Sequence, residues 1–115
     1  MVSFRITADI DSKIMSQIDE AMKGEKPPYW RAAYYYFENG KDINKAYEWV
    51  NKAIEAQPDA YYMQTEKARI ELAMGKYKEA IETATKAKEL AQKSDDTGHV
   101  FTNNQTITQA KAKMK

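Results

Sequence analysis

Apolar residues recur at helical spacing in two stretches of the chain, which lie 34 positions apart. In residues 43–58 small apolar side chains fall at i, i+4 and i+7, and residues 77–92 repeat this spacing. Such a pattern predicts one amphipathic helix in each stretch. Aligned without a gap, the two stretches also share identical residues, namely the pairs Ala46/Ala80, Glu48/Glu82, Lys52/Lys86, Ala53/Ala87 and Glu55/Glu89.

Each stretch follows a glycine, and a further helical pattern precedes each glycine. Gly40 and Gly75 can adopt the left-handed backbone that ends a helix, and Pro58 cannot continue one. A 34-residue helix–turn–helix period is typical of the tetratricopeptide repeat (TPR). The sequence therefore predicts an all-α, TPR-like solenoid of two helical hairpins, with repeat one over residues 28–58 and repeat two over residues 59–93.

The register of the first helix in repeat two stays open. Counted back from Gly75, the expected apolar positions hold Gln64, Lys67 and Glu71. A shifted frame instead gives one face to a less polar set, Tyr61, Thr65, Ala68 and Leu72.

Further elements are predicted on both sides of the repeats, within a single domain over residues 1–115. Residues 1–8 read as a strand-like lead-in, and residues 11–23 as an extra helix that Asp11 or Ser12 caps. Residues 97–115 predict a C-terminal capping helix, whose face would hold Val100, Ile107, Ala110 and Met114. A cap of this kind covers the end of a solenoid.

Composition narrows the function classes. The 115 residues carry a net charge of +1, which argues against a general nucleic-acid binder. No apolar run is long enough to span a bilayer, and the beginning of the chain lacks the apolar segment of a signal peptide. Cysteine is absent and His99 is the single histidine, so no metal site is expected.

Enzymatic chemistry finds no support in the motifs. The chain has no glycine-rich phosphate loop and no nucleophile elbow. Its carboxylates alternate with lysines on predicted helix faces, which is typical of a solvated surface. We therefore expect no catalytic residues, no cofactor and no enzyme activity.

The segment YWRAAYYYF, residues 29–37, concentrates aromatic side chains on one predicted helix. Because a helix turns by about 100° per residue, these rings cannot all face one core. In one interpretation some of them line the concave side of the solenoid and bind a partner, with the site formed by Trp30, Tyr34, Phe37, Tyr62 and Arg69. Aromatic residues are enriched at binding hot spots, and Arg69 would pair with a carboxylate of the ligand.

In the other interpretation the helix over residues 11–23 packs on Trp30, Tyr34 and Phe37 and buries them, since small proteins rarely expose large apolar patches. Tyr35 would face the neighbouring element in either case. Trp49 is expected to pack on repeat two, near Tyr61 or Tyr62.

The stretch AAYYYFENGKDINKAYEWVNKAIEAQP and the following GKYKEAIETATKAKELAQKS resemble the C-terminal tetratricopeptide-like region of the "domain of unknown function 2911" family. The ENGKD turn before KAYEWVNKAIE is the most specific part, and the resemblance covers roughly residues 29–94. The lead-in VSFRITADIDSKIMSQID is also similar, whereas the polar end SDDTGHVFTNNQTITQAKAKMK departs from the family. In that family the lead-in follows a β-rich domain of an exported protein of Gram-negative bacteria. The resemblance implies that residues 2–6 are the last strand of such a domain.

Two functions are thus predicted. The favoured one is a non-enzymatic module that binds a protein or peptide partner, with no nucleic acid and no membrane insertion. The alternative is a structural appendage that stabilises an N-terminal β-rich domain of a larger exported protein, in which case that domain is the partner. The sequence leaves the compartment open; if the chain is part of such a larger protein, the resemblance implies the periplasm or cell envelope.

Overall fold

Six α-helices make up the part of the protein that the structure describes. The computed structural model describes residues 8–115, with side chains from Ile10 onward. The helices are α1 (Ala8–Met22), α2 (Tyr29–Glu38), α3 (Ile43–Ala56), α4 (Tyr61–Ala73), α5 (Tyr77–Lys93) and α6 (Thr97–Lys113). No strand occurs within this range, so the predicted all-α fold is confirmed. The strand predicted at residues 2–6 lies outside the described residues.

The helices pair as antiparallel hairpins, α2 with α3 and α4 with α5. α4 also packs against α3 and α6, while α5 packs against α6. The small residues predicted on the second helix of each hairpin are fully buried in α5 and nearly so in α3, namely Ala46, Val50, Ala53, Ala80, Ala84 and Ala87. Their small size lets the helices approach closely, which confirms the predicted TPR-like hairpins.

The turn between the two helices of each hairpin has the same backbone geometry. Gly40 and Gly75 adopt positive φ angles of 68° and 81°, as the sequence predicts. Beyond each glycine, the N–H groups of Lys41 and Lys76 donate hydrogen bonds of 2.8 Å to the carbonyls of Tyr36 and Glu71. These bonds satisfy carbonyl groups that the end of a helix otherwise leaves free.

The central position of α4 explains its irregular sequence pattern. Both candidate registers are partly right, because Gln64 and Glu71 of one frame and Thr65 and Ala68 of the other are all buried. Neighbours on several sides cover this helix, so it has no single apolar stripe. Two of its buried side chains have one partner each: the Tyr47 hydroxyl donates to Glu71 Oε2 at 2.8 Å, and Gln64 Nε2 donates to the Pro58 carbonyl at 2.6 Å.

The prediction for the first helix needs correction. α1 begins at Ala8 rather than at residue 11, so Asp11 lies inside the helix and cannot cap it. The Asp11 carboxylate instead accepts a hydrogen bond from the Tyr35 hydroxyl and forms an ion pair of 2.5 Å with Lys41. These contacts lower the pKa of Asp11, the Lys41 hydrogen bond most of all, and they attach α1 to the first hairpin. Tyr35 thus faces the neighbouring element, as predicted.

The buried face of α6 agrees only in part with the prediction. Ala110 of the predicted apolar set is buried, but the other buried residues are Asn103 and Thr106, and Met114 is 55% exposed. Asn103 Nδ2 donates to Thr65 Oγ1 at 2.9 Å, so a polar contact contributes to the packing of this helix on α4.

Trp49 packs edge-on against Tyr36 of its own hairpin, with ring centroids 4.8 Å apart. It also packs against the core cluster that includes Ile70 of repeat two, and its position near Tyr61 or Tyr62 stays a prediction.

Among residues 8–115, no helix combines the length and the apolar character needed to cross a membrane.

Candidate functional site

Helices α2, α4 and α6 together form a surface groove. It consists of two adjoining hollows that share Arg69 of α4 and Thr102 of α6. The upper hollow has a volume of about 230 Å³ and the lower hollow about 310 Å³. We call the two hollows together the α2–α4–α6 groove.

Three aromatic rings border the upper hollow. Trp30 of α2 lies between Tyr34, whose ring centroid is 5.6 Å away, and Tyr62 of α4, which it meets edge-on at 5.3 Å. Tyr34 is 48% exposed and Tyr62 is 40% exposed. Large aromatic side chains with this much exposed surface are typical of binding surfaces rather than of cores.

The lower hollow is lined by Phe37, Arg69, Leu72, Ala73 and polar residues of α6. The Arg69 guanidinium lies over the Phe37 ring, 5.5 Å from its centroid. This cation–π contact joins the aromatic residues of α2 to the charged side chain of α4.

All five residues predicted as the partner-binding site line the groove. Trp30, Tyr34 and Tyr62 border the upper hollow, Phe37 the lower one, and Arg69 both. The other interpretation expected α1 to bury Trp30, Tyr34 and Phe37. Tyr34 is 48% exposed and so is not buried, whereas Trp30 and Phe37 are partly buried. The geometry thus assembles the predicted residues, and their role in binding stays a prediction.

The carboxylates around Arg69 belong to the chain itself. Arg69 Nη1 donates to Glu38 Oε2 at 2.8 Å and to Glu66 Oε1 at 2.9 Å. The sequence predicts a carboxylate of the ligand as the partner of Arg69, but this guanidinium already has two partners within the chain. An acidic ligand would therefore meet Glu38 and Glu66 as well as Arg69.

The carboxyl groups of Glu38 and Glu66 have pKa values that are shifted in opposite directions. Glu66 is 4% exposed, and burial, followed by the adjoining Glu38 carboxyl, raises its pKa to about 7. A hydrogen bond with Glu66, together with Arg69, lowers the pKa of Glu38. The pair thus tends to hold one proton, which resides on Glu66, since two adjacent carboxylates cannot both ionise at low cost.

A second polar cluster stands at the beginning of α6. Asp96 caps this helix by accepting from the His99 N–H at 3.1 Å, and its Oδ2 also accepts from the Tyr61 hydroxyl at 2.9 Å. The His99 ring lies 2.8 Å from the same oxygen through Nδ1 and packs edge-on against Tyr61. His99 thus has a structural role, and one side of it also borders the upper hollow.

Sequence reasoning missed the acidic part of the groove and its α6 wall. The spacing of Glu66 and Arg69 at i and i+3 was a signal for their pairing. No comparable signal linked Glu38 to them, because it lies 31 residues from Arg69 along the chain. The wall of α6, including Thr102, carries polar residues that resemble an ordinary solvated face.

A further groove of about 590 Å³ lies between α1 and α2 and shares Trp30 and Tyr34 with the upper hollow. Its walls combine apolar residues of α1 with the outer side of α2, among them Ile14, Ile18, Ala21, Trp30 and Tyr34. Within residues 8–115, no three His, Cys, Asp or Glu side chains are grouped as metal ligands.

Comparison with known proteins identifies the class of this chain. The tetratricopeptide repeat model matches residues 27–60 and residues 61–94, together more than half of the chain. The chain therefore belongs to the tetratricopeptide repeat family, whose members generally mediate protein–protein interaction and are typically not enzymes. No curated protein and no solved structure matches the chain. The finer resemblance to the "domain of unknown function 2911" family is not part of this match.

Proposed function

We propose that this chain is a protein–protein interaction module that binds an extended peptide or a partner domain in the α2–α4–α6 groove. The observation that supports this most directly is the meeting of Trp30, Tyr34 and Tyr62 around one hollow, with two of the three rings about half exposed. Aromatic side chains in partly open pockets contribute large shares of binding energy. Phe37 and Arg69 extend the same surface along α2 and α4.

A site-specific crosslink tests this proposal. A photoreactive residue in place of Tyr34 is expected to crosslink one partner in cells of the source organism. The same residue in place of Lys78, which is exposed on α5, serves as the matched control and is expected to crosslink none. Equal crosslinking from both positions would contradict a role for the groove.

The energetic part of the proposal is tested on the partner so identified. Tyr34→Ala and Tyr62→Ala are each expected to weaken its binding roughly tenfold, or by about 1.4 kcal/mol. Calorimetric titration measures the change, and circular dichroism verifies that the helices persist. Unchanged affinity in both variants would place the binding surface elsewhere.

The alternative function is a structural appendage of a larger exported protein, located in the periplasm or cell envelope. Its support is the resemblance to the "domain of unknown function 2911" family, together with the apolar groove between α1 and α2. An apolar surface of this kind, next to the N-terminal end of the described residues, suits a preceding domain. The mass of the native protein, measured in lysate with an antibody against this chain, tests this alternative. A mass of twice 13.2 kDa or more supports it, and a mass near 13.2 kDa contradicts it.

A further inference from the structure

Two carboxyl groups share one guanidinium at the upper hollow. Glu66 and Arg69 of α4 line the hollow together with the His99 ring of α6, which is paired with Asp96. Glu38 of α2 does not line the hollow and reaches its wall through Arg69. In the free protein a proton on Glu66 takes the place of a second cation, and a bound cation would replace that proton.

The Glu66 carboxyl is the least satisfied of these groups. Its Oε1 accepts from Arg69, while no group of the described chain donates to its buried Oε2. In the free protein a proton shared with the adjoining Glu38 carboxyl stands in for such a donor. A buried polar atom without a partner costs free energy, which a bound donor would recover. The Glu66 side chain is almost fully buried, with 4% of its surface exposed, and it forms part of the wall of the hollow.

The aromatic side of the hollow suits the same kind of ligand. The faces of tryptophan and tyrosine rings attract cations, and such contacts gain strength where water is excluded. Trp30, Tyr34 and Tyr62 come from two helices and line, together with Glu66, a space of about 230 Å³. Aromatic rings beside a carboxyl group form an arrangement that favours a cation over an anion or an apolar group.

Other ligand chemistries fit less well. A carboxylate drawn by Arg69 would compete with Glu38 and Glu66, which already occupy Nη1 of that guanidinium. An apolar side chain would fill the space between the rings but would leave Glu66 Oε2 without a donor. A cationic side chain satisfies both walls of the hollow.

We propose that the upper hollow receives the side chain of a lysine or arginine from the bound partner, held between the rings of Trp30, Tyr34 and Tyr62 and paired with Glu66. This inference rests on the proposed function, since it names the chemistry of the residue that the groove selects. The raised pKa of Glu66 is in keeping with it, because the carboxyl lacks a second cation in the free protein.

Three short peptides test the selectivity directly. The probes are acetyl-Gly-Lys-Gly-amide and two counterparts in which norleucine or glutamate replaces the lysine. Amide and aromatic NMR signals of the protein are followed during each titration at a pH of about 8, where Glu66 is mostly ionised. The lysine probe is expected to shift signals of Trp30 and Tyr62 and to bind roughly tenfold more tightly than either counterpart.

Equal binding of the norleucine probe, tighter binding of the glutamate probe, or no binding of the lysine probe would overturn the inference. None of these results touches the crosslinking test from Tyr34, which addresses the groove whatever its selectivity. The two proposals therefore fail separately.

A pair of variants separates the pocket from the general charge of the protein. Glu66→Gln keeps the shape of the side chain and removes its charge, so it is expected to weaken binding of the lysine probe roughly tenfold. Glu55→Gln removes the same charge from an exposed position on α3 and is expected to leave binding unchanged. An equal loss in both variants would show non-specific attraction and would contradict the assigned pocket.

Discussion

Tyr36 in the first hairpin and Glu71 in the second occupy equivalent positions, since the carbonyl of each accepts a hydrogen bond from the residue that follows its hairpin glycine. The first position holds an aromatic ring that packs on Trp49. The second holds a carboxyl group that accepts from Tyr47. The same turn geometry thus supports an apolar contact in one hairpin and a buried polar contact in the next.

The second helices of the two hairpins differ much less. Small residues stand at every equivalent buried position of α3 and α5. The first helices differ because their surroundings differ: α4 packs against α3, α5 and α6, whereas α2 packs mainly against α3. The comparison shows that close helix approach and the glycine turns define the repeat, while neighbours decide the chemistry of each first helix.

The largest effect is expected where the two hairpins share a core. Ile70 of α4 is fully buried and belongs to one cluster with Ala33, Tyr36, Ala46 and Val50 of the first hairpin. Ile70→Ala is expected to lower the free energy of unfolding by about 3 kcal/mol, because it removes buried methyl groups and leaves a cavity. Urea denaturation followed by circular dichroism measures this change.

The control for this variant is Met114→Ala, since Met114 is 55% exposed. Its effect is expected to stay within about 0.5 kcal/mol. A loss below about 1 kcal/mol for Ile70→Ala would show that the hairpins do not depend on a shared core.

The polar contact of the second hairpin is expected to give the next largest effect. Tyr47→Phe removes the donor to Glu71 and leaves both oxygens of that buried carboxyl group without a partner. The expected cost is about 2 kcal/mol of unfolding free energy. Tyr36→Phe is the matched change in the first hairpin, and it is expected to cost much less because the ring packing on Trp49 persists. Equal costs in the same denaturation assay would remove the distinction between the two hairpins.

Glu66 gives the second hairpin a pH dependence of its stability that extends to a pH of about 7. Its pKa in the folded protein is raised to about 7, so between the unfolded value and about 7 the folded state binds the additional proton. Stability therefore falls as the pH rises through this window. Glu66→Gln is expected to flatten the dependence and to raise the free energy of unfolding at a pH of about 8 by about 1 kcal/mol, after allowance for solvent screening.

Thermal unfolding between pH values of about 5 and 8 measures this effect. Because His99 is present in both proteins, the difference between them isolates the contribution of Glu66. Glu38 acts in another range: its lowered pKa stabilises the fold above its unfolded value, and that contribution disappears only at more acidic pH. An identical slope in the wild type and in Glu66→Gln would contradict the assignment.

The sequence was sufficient for those parts of the fold that depend on local pattern. The repeat period, the small residues of α3 and α5, and the turns at Gly40 and Gly75 all follow from spacing and backbone chemistry. The aromatic side of the groove followed as well, because the helical frame put Trp30, Tyr34 and Phe37 together.

The features that could not be predicted from the sequence depend on contacts between segments that are far apart along the chain. Asp11 was taken for a cap because its partners Tyr35 and Lys41 lie 24 and 30 residues away. The buried faces of α4 and α6 carry polar residues whose partners lie on other helices, so hydrophobic periodicity could not reveal them. Glu38 is also far from its partner Arg69 in the sequence, so only the structure shows that it belongs to the candidate site.

At the end of α5 a residue other than glycine adopts a positive φ. Its replacement is expected to have the smallest effect on the free energy of unfolding. Asp95 has a φ of 56°, and beyond it the Asp96 N–H donates to the Ala91 carbonyl at 2.9 Å. This is the geometry that Gly40 and Gly75 adopt, here without a glycine to mark it. Because a side chain in the left-handed region is strained, Asp95→Gly is expected to raise the free energy of unfolding by about 0.5 kcal/mol, the relief being partly offset by the greater freedom of glycine in the unfolded chain.

The reverse change at Gly75 is the matched control. Its φ is 81°, and an added Cβ would meet no atom within 4 Å, so Gly75→Ala tests backbone strain without a steric clash. We expect a loss of about 1 kcal/mol there, measured by the same urea denaturation. Opposite signs at the two positions would show that backbone conformation, rather than the side chains around it, sets the preference for glycine at these helix ends. Destabilisation by Asp95→Gly would instead mean that the aspartate side chain stabilises the turn more than its backbone strain destabilises it.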